Sequence, residues 1–430
     1  MNIGILGGGI SGVALLHYLK HPAEILEAAS STGGLCKTIW KDGFGYDIGG
    51  HILFSKHQEI NEIVDHLLEG NINRCKRANK ILLHGRYVKY PFENDLGSLE
   101  KQDTYECLMG YLLKDYPKPK TNLKEWAYYT FGKGISEKYF IPYNEKIWNI
   151  PAEEMSLEWV DRIPRPPMED VVKSALGIET EGYRHQLYFR YPTRGGVEAL
   201  VKALEPRGPD KTLTLNYKIR SIRRAGAHWL LSDGKTEKKF DKIVIAFPIH
   251  EAISCFEEVP KEVRDAVNNL RFNSINVVLL AVNNESLLDK SAVYIPDQSV
   301  LPHRVCFMGY FSRHLVRPGT SSLIAEITTN PGDGIHELTD SDIIERSSAD
   351  LDRIGILNKK DIIVSDITRC RYGYPVYTLD YYKNIRVMRE YFKSIEVDLC
   401  GRFAEFEYIN SDECLRRAIG LSERLNQTPI

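Results

Sequence analysis

The sequence predicts an α/β fold with three parts: a strand–turn–helix unit at the start, a helical region and an antiparallel sheet. The first part follows from residues 2–28, where an apolar strand, a glycine-rich turn, an apolar helix and a second strand succeed one another. The second follows from residues 98–180, whose pattern is mostly helical and is interrupted by loops. The third follows from residues 212–247 and from three alternating stretches between 276 and 328.

Length and composition exclude several classes of protein. A chain of 430 residues predicts two or three domains, and 43% hydrophobic with 27% charged residues is ordinary for a globular protein. The net charge of −2, without a basic block, gives no support for a nucleic-acid partner. A strand pattern from residue 2 leaves no room for a leader, and no apolar run of about 18 residues predicts a membrane span. We therefore expect a cytoplasmic protein.

The eight cysteines are scattered along the chain, and none of them forms a CxxC pair. This spacing favours neither a zinc site nor a redox dithiol, and it fits a reducing compartment. No metal site is predicted.

The turn after the first strand carries the pattern Gly7-x-Gly9-x-Ser11-Gly12. In a strand–turn–helix context, the first glycine allows the tight turn, the second lets a pyrophosphate approach the backbone, and the third lets the helix pack on the strand. Glu27, at the end of the second strand, can accept hydrogen bonds from a ribose hydroxyl. These residues predict a Rossmann-type dinucleotide site that suits FAD or NAD better than NADP.

A second glycine pair, Gly33 and Gly34, follows closely. Two glycine-rich approaches early in the chain suggest a long cofactor that lies extended over the fold, which favours FAD over NAD.

The stretch YDIGGHILF places His51 directly after Gly49 and Gly50. A glycine pair lets the backbone approach a flat or charged group closely. The residues alone favour a plainer interpretation, in which His51 is a satisfied histidine that packs after a turn.

Further motifs occur in one order through nearly the whole chain. They are GGHILF (49–54), YVKYPFEN (87–94), PYNEKIW (142–148) with IP (150–151), LEWVDRIPRPP (157–167), FRYPTRGG (189–196), RYGYPVYTL (371–379) and GRFAEFEY (401–408). As an ordered set they resemble the flavin-containing amine oxidase and protoporphyrinogen oxidase superfamily. Within it they look like the UDP-galactopyranose mutases, and more like the eukaryotic-type branch than the bacterial one.

The resemblance implies a division of the chain into segments. They are 1–80 and 371–430 for the FAD-binding domain, 81–97 for a hairpin that binds the base, 98–180 for a mainly helical domain, 181–250 for sheet segments that return to the FAD domain, and 251–370 for an antiparallel-sheet substrate domain. The FAD-binding domain is thus expected to be built from discontinuous segments.

The resemblance also implies roles for individual residues. The loop of Gly49, Gly50 and His51 would pass against the flavin ring, and Arg402 would lie on the FAD side near the flavin. Two arginines and three tyrosines would bind the diphosphate of a nucleotide sugar: Arg162, Arg304, Tyr294, Tyr374 and Tyr408. Guanidinium groups suit phosphate oxygens and stabilise charge on a leaving diphosphate. Residues at the base and the active-site wall would be Tyr90, Phe92, Asn144 and Trp148.

The implied reaction interconverts the pyranose and furanose forms of a nucleotide sugar, with UDP-galactopyranose the first choice. It runs through a covalent bond between N5 of reduced FAD and the sugar, without net redox change, and no protein residue is an obvious nucleophile. An electron source is then needed, either NAD(P)H or a separate flavin reductase. The oligomeric state is left open.

Two positions depart from the mutase pattern. Glu93 stands where a glutamine usually contacts uracil, and an ionised carboxylate could accept from N3–H but could not donate to O4. Gln186 stands near an expected asparagine that contacts galactose. The same chemistry on a dTDP-sugar or another UDP-sugar is therefore one alternative. An FAD-dependent amine oxidase or protoporphyrinogen oxidase-like enzyme is another.

Overall fold

The computed structural model describes residues 1–163, 165–180, 187–205 and 208–427, without the side chain of Arg162. The strands within these ranges are β1 (Ile3–Leu6), β2 (Ala23–Leu26), β3 (Thr38–Lys41), β4 (Phe44–Asp47), β5 (Asn73–Lys76), β6 (Asn79–Leu83), β7 (Arg86–Lys89), β8 (Tyr188–Tyr191), β9 (Lys211–Thr214), β10 (Ser221–Ala225), β11 (His228–Ser232), β12 (Glu237–Phe240), β13 (Lys242–Ile245), β14 (Phe272–Val282), β15 (Ala292–Tyr294), β16 (Arg304–Phe307), β17 (Ser321–Thr329), β18 (Ile362–Pro375) and β19 (Asp398–Leu399).

The α-helices of the same ranges are α1 (Ile10–Tyr18), α2 (Gln58–Leu67), α3 (Lys101–Leu112), α4 (Leu123–Ile135), α5 (Ile141–Trp148), α6 (Met168–Ala175), α7 (Glu198–Leu204), α8 (Ile249–Cys255), α9 (Lys261–Asn268), α10 (Met308–Phe311), α11 (Asp340–Arg353), α12 (Tyr381–Ser394) and α13 (Ser411–Asn426). In the part of the chain that is described, none of the helices has both the length and the apolar character that crossing a bilayer requires.

A parallel sheet in the order β19-β13-β1-β2-β9 forms the Rossmann-type part of the fold. Its strands come from separate stretches of the chain, so the predicted assembly from discontinuous segments is confirmed. α1 is buried at most of its positions, because the sheet and α13 enclose it. A Cβ atom at Gly12 would lie 2.1 Å from the carbonyl oxygen of Gly7, so only glycine lets α1 start this close to β1.

A larger sheet, in the order β18-β14-β17-β16-β15-β6-β7, forms the second layer. Neighbours in this sheet are antiparallel except β15 and β6, which run parallel. The hairpin β6–β7, predicted as a separate segment, is part of this sheet. The predicted boundary at 370 falls inside β18, which continues to Pro375.

The helical region contains α3 to α6, and its apolar side chains join the core that also includes the larger sheet. The predicted strand at 303–311 is shorter than expected, since β16 ends at Phe307 and α10 follows directly. The remaining sheets are the antiparallel β10-β11-β12 and the pairs β3–β4 and β5–β8.

Candidate functional site

A cavity of about 750 Å³ lies at the carboxyl ends of β1 and β2. This is where ligands bind in open α/β sheets. Eight of the residues predicted to hold a cofactor line it: Gly7, Gly9, Ser11, Glu27, Gly33, Gly34, His51 and Arg402.

The chemistry of this cavity fits a dinucleotide. Gly9 precedes α1 without a side-chain cap, and a Cβ atom there would meet no protein atom within 4 Å. The first N–H groups of α1 are thus accessible to a phosphate. The carboxylate of Glu27 is oriented by bonds from the N–H groups of Gly8 (2.6 Å) and Ala29 (2.8 Å), and it faces the same cavity.

A second cavity, of about 680 Å³, lies against the larger sheet. Nine predicted site residues line it: Gly49, Gly50, His51, Tyr90, Tyr294, Arg304, Tyr374, Arg402 and Tyr408. His51 and Arg402 line both cavities, together with Leu35 and Ser411. The two predicted sites are therefore contiguous, and His51 and Arg402 lie where they meet.

The loop after β4 packs tightly on the larger sheet. The Gly50 N–H donates to Glu326 Oε1 (2.9 Å), and a Cβ atom on Gly50 would lie 2.5 Å from Cys306 Sγ. Any side chain at Gly50 would push the loop off the sheet. The glycine pair indicated a close approach of the backbone to another group. On this side of the loop, that group is the larger sheet of the protein itself.

His51 carries a buried Nδ1 atom that has no hydrogen-bond partner among the described residues. Burial, and then the charge of Arg402, lower the pKa of His51 to about 4. The ring is neutral at pH 7, and an unpartnered buried polar atom is costly unless a ligand satisfies it. This atom fits a polar group held at the junction of the two cavities.

Three polar residues form a row across neighbouring strands of the larger sheet. Tyr294 on β15 pairs with Arg304 on β16, and Arg304 pairs with Glu326 on β17. Directly opposed residues on antiparallel strands have side chains in contact. The row brings a phenol and a guanidinium to one wall of the second cavity, and the carboxylate of Glu326 lies buried beside Arg304.

Glu326 is completely buried and binds Arg304 in a bidentate pair. Arg304 Nε lies 3.0 Å from Oε1, and Nη2 lies 2.6 Å from Oε2. Burial alone would raise the pKa of Glu326, but the charge of Arg304 and the nearby His303 hold it at about 2. Glu326 therefore fixes the guanidinium plane, and through Gly50 it also holds the His51 loop.

Aromatic rings line much of the second cavity. Tyr90 stacks on Tyr294 with ring centroids 4.8 Å apart and an interplanar angle of 27°. Tyr374 lies edge-on to Tyr408 at 5.7 Å, and the guanidinium of Arg402 lies 5.5 Å from the Tyr408 ring centroid. These faces suit a planar base or a sugar ring.

Asn144 and Trp148 form a layer behind this wall. Asn144 Oδ1 accepts from Trp148 Nε1 (3.1 Å), and its Nδ2 donates to the Phe140 carbonyl (2.7 Å), as i, i+4 spacing on α5 allows. Trp148 packs edge-on against Tyr374 and Tyr408. Direct substrate contact by this pair stays a prediction, because both polar groups of Asn144 already have partners.

Phe92 and Glu93 are also buried and do not line the second cavity. Phe92 stacks on Tyr139. Burial raises the pKa of Glu93 to about 7, so a part of its population keeps the proton at neutral pH. A protonated Glu93 offers one O–H donor and one acceptor oxygen. A glutamine amide likewise offers a donor and an acceptor.

Two predicted residues cannot be placed at the site. Gln186 lies outside the described residues, and so does the side chain of Arg162, whose backbone ends the helical turn Val160–Arg162. Their roles stay predictions.

Glu326 and Lys146 were not predicted from the sequence. Glu326 had a signal, since it is the one charged residue of SSLIAEITT, a stretch of apolar and hydroxyl residues. Lys146 lies inside the PYNEKIW motif, and its Nζ donates to three carbonyl groups of the segment between β15 and β16: Ile295 (3.0 Å), Asp297 (2.6 Å) and Pro302 (2.9 Å). This ammonium group fixes the connection between Tyr294 and Arg304.

Replacing Lys146 with methionine is expected to lower the free energy of unfolding by about 2–4 kcal/mol, since three carbonyl groups lose their hydrogen-bond donor at once. Urea denaturation measures this change. The matched control is K133M at an exposed lysine of α4, which should stay within about 0.5 kcal/mol of wild type. Equal unfolding midpoints for the two variants would contradict a structural role for Lys146.

Comparisons with known proteins agree with this architecture. The chain is 24% identical over 173 residues to a UDP-galactopyranose mutase of Mycoplasma pneumoniae, and this match spans 37% of the chain and 43% of that relative, less than half its length. A UDP-galactopyranose mutase solved in its reduced state has the same fold, with a TM-score of 0.90 and 23% identity over 99% of this chain and 95% of the other.

A candidate protoporphyrinogen oxidase from Exiguobacterium sp. 255-15 is also similar in fold, with a TM-score of 0.78 and 17% identity over 99% and 98% of the two chains. The model of the family described as flavin containing amine oxidoreductase matches residues 10–383, which is most of the chain. The chain therefore belongs to the flavin-containing amine oxidoreductase family.

Proposed function

We propose that the protein is a flavin-dependent mutase that interconverts the pyranose and furanose forms of a nucleotide sugar, with UDP-galactose the first candidate. Membership of the family gives it a flavin cofactor. We further propose that the flavin is FAD, that it acts in its reduced form, and that the reaction has no net redox change. The observation that carries the proposal is the junction of the two cavities at His51 and Arg402, with arginines and tyrosines along the second one.

The charges of the second cavity support an anionic ligand. Arg77, Arg304 and Arg402 line it, and a diphosphate needs such donors. Arg417 binds two of the acids that also line it, Glu407 and Glu413, at 2.6 and 2.9 Å, and Arg165 binds a third, Asp161, at 3.1 Å. The other two acids of the lining are Glu158 and Asp412. The three guanidinium groups suit the diphosphate of a nucleotide.

The residues of this chain would hold the two ligands in place. The glycine turn and α1 would bind the pyrophosphate of FAD, and Glu27 its ribose. Arg304, with Tyr294, Tyr374 and Tyr408, would bind the substrate diphosphate and stabilise its charge when it leaves. The Tyr90–Tyr294 stack would provide a face for the base. Bound in its reduced form, the flavin would supply the nucleophilic atom of the reaction.

Neutral His51 would act at the junction as a hydrogen-bonding group rather than as a charge. Its Nδ1 faces no protein partner in the described ranges, so it can bind a polar atom of either ligand. The glycine loop beside it would exclude water between the ligands, because its backbone is fixed on Glu326.

The test uses the purified flavin-loaded protein with UDP-galactopyranose or UDP-galactofuranose, with and without dithionite, and separates the products by anion-exchange chromatography. We expect interconversion only after reduction of the flavin. Reduced protein that fails with both sugars rejects UDP-galactose, and dTDP-sugars and other UDP-sugars would then be tested in the same assay. Oxygen consumption with an amine, and no conversion of any nucleotide sugar, would instead favour an oxidase.

A further inference from the structure

A chain of hydrogen bonds runs from the backbone to the hydroxyl group of Tyr294. The Ala78 N–H donates to Ser291 Oγ (2.9 Å), Ser291 Oγ donates to Asn79 Oδ1 (2.6 Å), and Asn79 Nδ2 donates to the Tyr294 hydroxyl oxygen (3.1 Å). Ser291 and Asn79 are buried, with 2% and 8% of their surface exposed, and both line the second cavity. Neither residue was singled out by the sequence.

The direction of this chain is set at its first bond. A backbone N–H can only donate, so Ser291 Oγ accepts there and uses its proton on Asn79 Oδ1. The amide of Asn79 must then turn Nδ2 towards Tyr294. The reverse orientation would give the Ser291 oxygen two donors and leave its buried proton without an acceptor among the described residues.

The guanidinium groups near Tyr294 are also hydrogen-bond donors. Arg304 is its direct partner across β15 and β16, and the guanidinium groups of Arg304 and Arg77 both oppose the rise in the pKa of Tyr294 that burial causes. A guanidinium group has no acceptor. Stacking on Tyr90 fixes the ring, so the hydroxyl cannot swing away.

The Tyr294 hydroxyl therefore receives hydrogen bonds and has a proton to give. Within the described part of the chain no residue accepts that proton, and Tyr294 lines the second cavity. A ligand atom that completes this arrangement must be an acceptor.

We propose that Asn79 and Ser291 are positioning residues that hold the Tyr294 hydroxyl as a donor towards an anionic oxygen in the second cavity, such as a diphosphate oxygen. The inference rests on the proposed function, because a nucleotide sugar brings that oxygen. The hydrogen bonds of this site then have a fixed direction, so the Tyr294 hydroxyl binds ligand atoms that accept a hydrogen bond in preference to those that donate one.

The test measures binding of UDP and of inorganic pyrophosphate to the flavin-loaded protein by calorimetry. N79D keeps the shape of the side chain but turns the donor next to Tyr294 into an acceptor, so the phenol proton is drawn away from the cavity. We expect affinity to fall about tenfold or more, as for the loss of a hydrogen bond to a charged group. S291A, which adds no charge, releases the Asn79 amide and should weaken binding in the same direction by a smaller factor.

The Y294F background separates positioning from simple charge repulsion. If Asn79 and Ser291 act through Tyr294, N79D and S291A change the affinity of Y294F by less than about threefold, whereas independent effects would multiply. Thermal melts check that each variant is folded. If N79D does not fold, S291A alone provides the test.

If N79D and S291A lower the affinity as much in the Y294F background as in wild type, or if neither lowers it in wild type, the inference is wrong while the proposed function stands. Wild-type protein that binds neither UDP nor pyrophosphate overturns both.

Discussion

Replacement of Glu326 by alanine is expected to lower the free energy of unfolding by about 3–5 kcal/mol at pH 7, because it leaves the partly buried Arg304 guanidinium without its counter-charge. The same change releases the guanidinium plane and removes the acceptor for the Gly50 N–H. The loss of a preorganised donor should lower the turnover of the proposed reaction by about 100-fold. Urea denaturation and the mutase assay measure the two effects.

The stability effect of E326A should depend on pH. The folded-state pKa of Glu326, about 2, lies below its ordinary value of 4.5, so its stabilising contribution is complete above that ordinary value and is lost as the pH falls towards 2. Wild type and E326A should therefore differ less at pH 3 than at pH 7.

The control is the double variant R304M/E326M, which removes both charges and keeps apolar volume. It should unfold at a higher urea concentration than E326A, since no buried charge is left without a partner. Its activity should still be lost. A double variant that is less stable than E326A would mean that the pair itself, rather than the isolated guanidinium, governs stability here.

The sequence predicted those parts of the fold that depend on residues close to one another in the chain. The spacing of Gly7, Gly9 and Gly12 after an apolar strand predicted the Rossmann-type unit, because a glycine turn and a helix start are decided by neighbouring residues. A hairpin formed by β6 and β7 lies at the start of the segment 81–97, where the resemblance implied one.

The site was accessible only in part, because its contacts depend on strand register. Gly50 and Glu326 are 276 positions apart in the chain, and Glu326 meets Arg304 only through the pairing of β16 with β17. No local pattern reports that register. Lys146 and Asn79 could not be predicted for the same reason, since each binds a residue that is distant in sequence.

Burial was the other property that the residue letters could not supply. The sequence shows Glu93 only as an acid that accepts hydrogen bonds when it is ionised, and the structure adds that it lies in the core with 5% of its surface exposed. Its environment contains the phenols of Tyr90, Tyr111 and Tyr139, whose raised pKa values each include a contribution from Glu93. A carboxyl group there keeps its proton to a higher pH than it would in water.

Replacement of Glu93 by glutamine is expected to stabilise the protein at pH 8 and to change its stability little at pH 4. The folded protein holds the Glu93 proton up to about pH 7, whereas the unfolded chain releases it near 4.5. The free energy of unfolding of wild type therefore falls as the pH rises between these values, by about 3 kcal/mol in all for this group. E93Q removes this dependence, and urea denaturation at pH 4 and pH 8 measures it against E69Q, at an exposed carboxylate, as the control.

The same substitution tests what Glu93 contributes to recognition of the base. If protonated Glu93 presents a donor and an acceptor as a glutamine does, UDP should bind wild type less tightly as the pH rises through 7, and E93Q should bind it equally well at pH 6 and pH 8. Parallel losses of affinity in both proteins would assign the pH dependence to other groups. In that case Glu93 affects only stability, and the departure from the mutase pattern carries no information about the base.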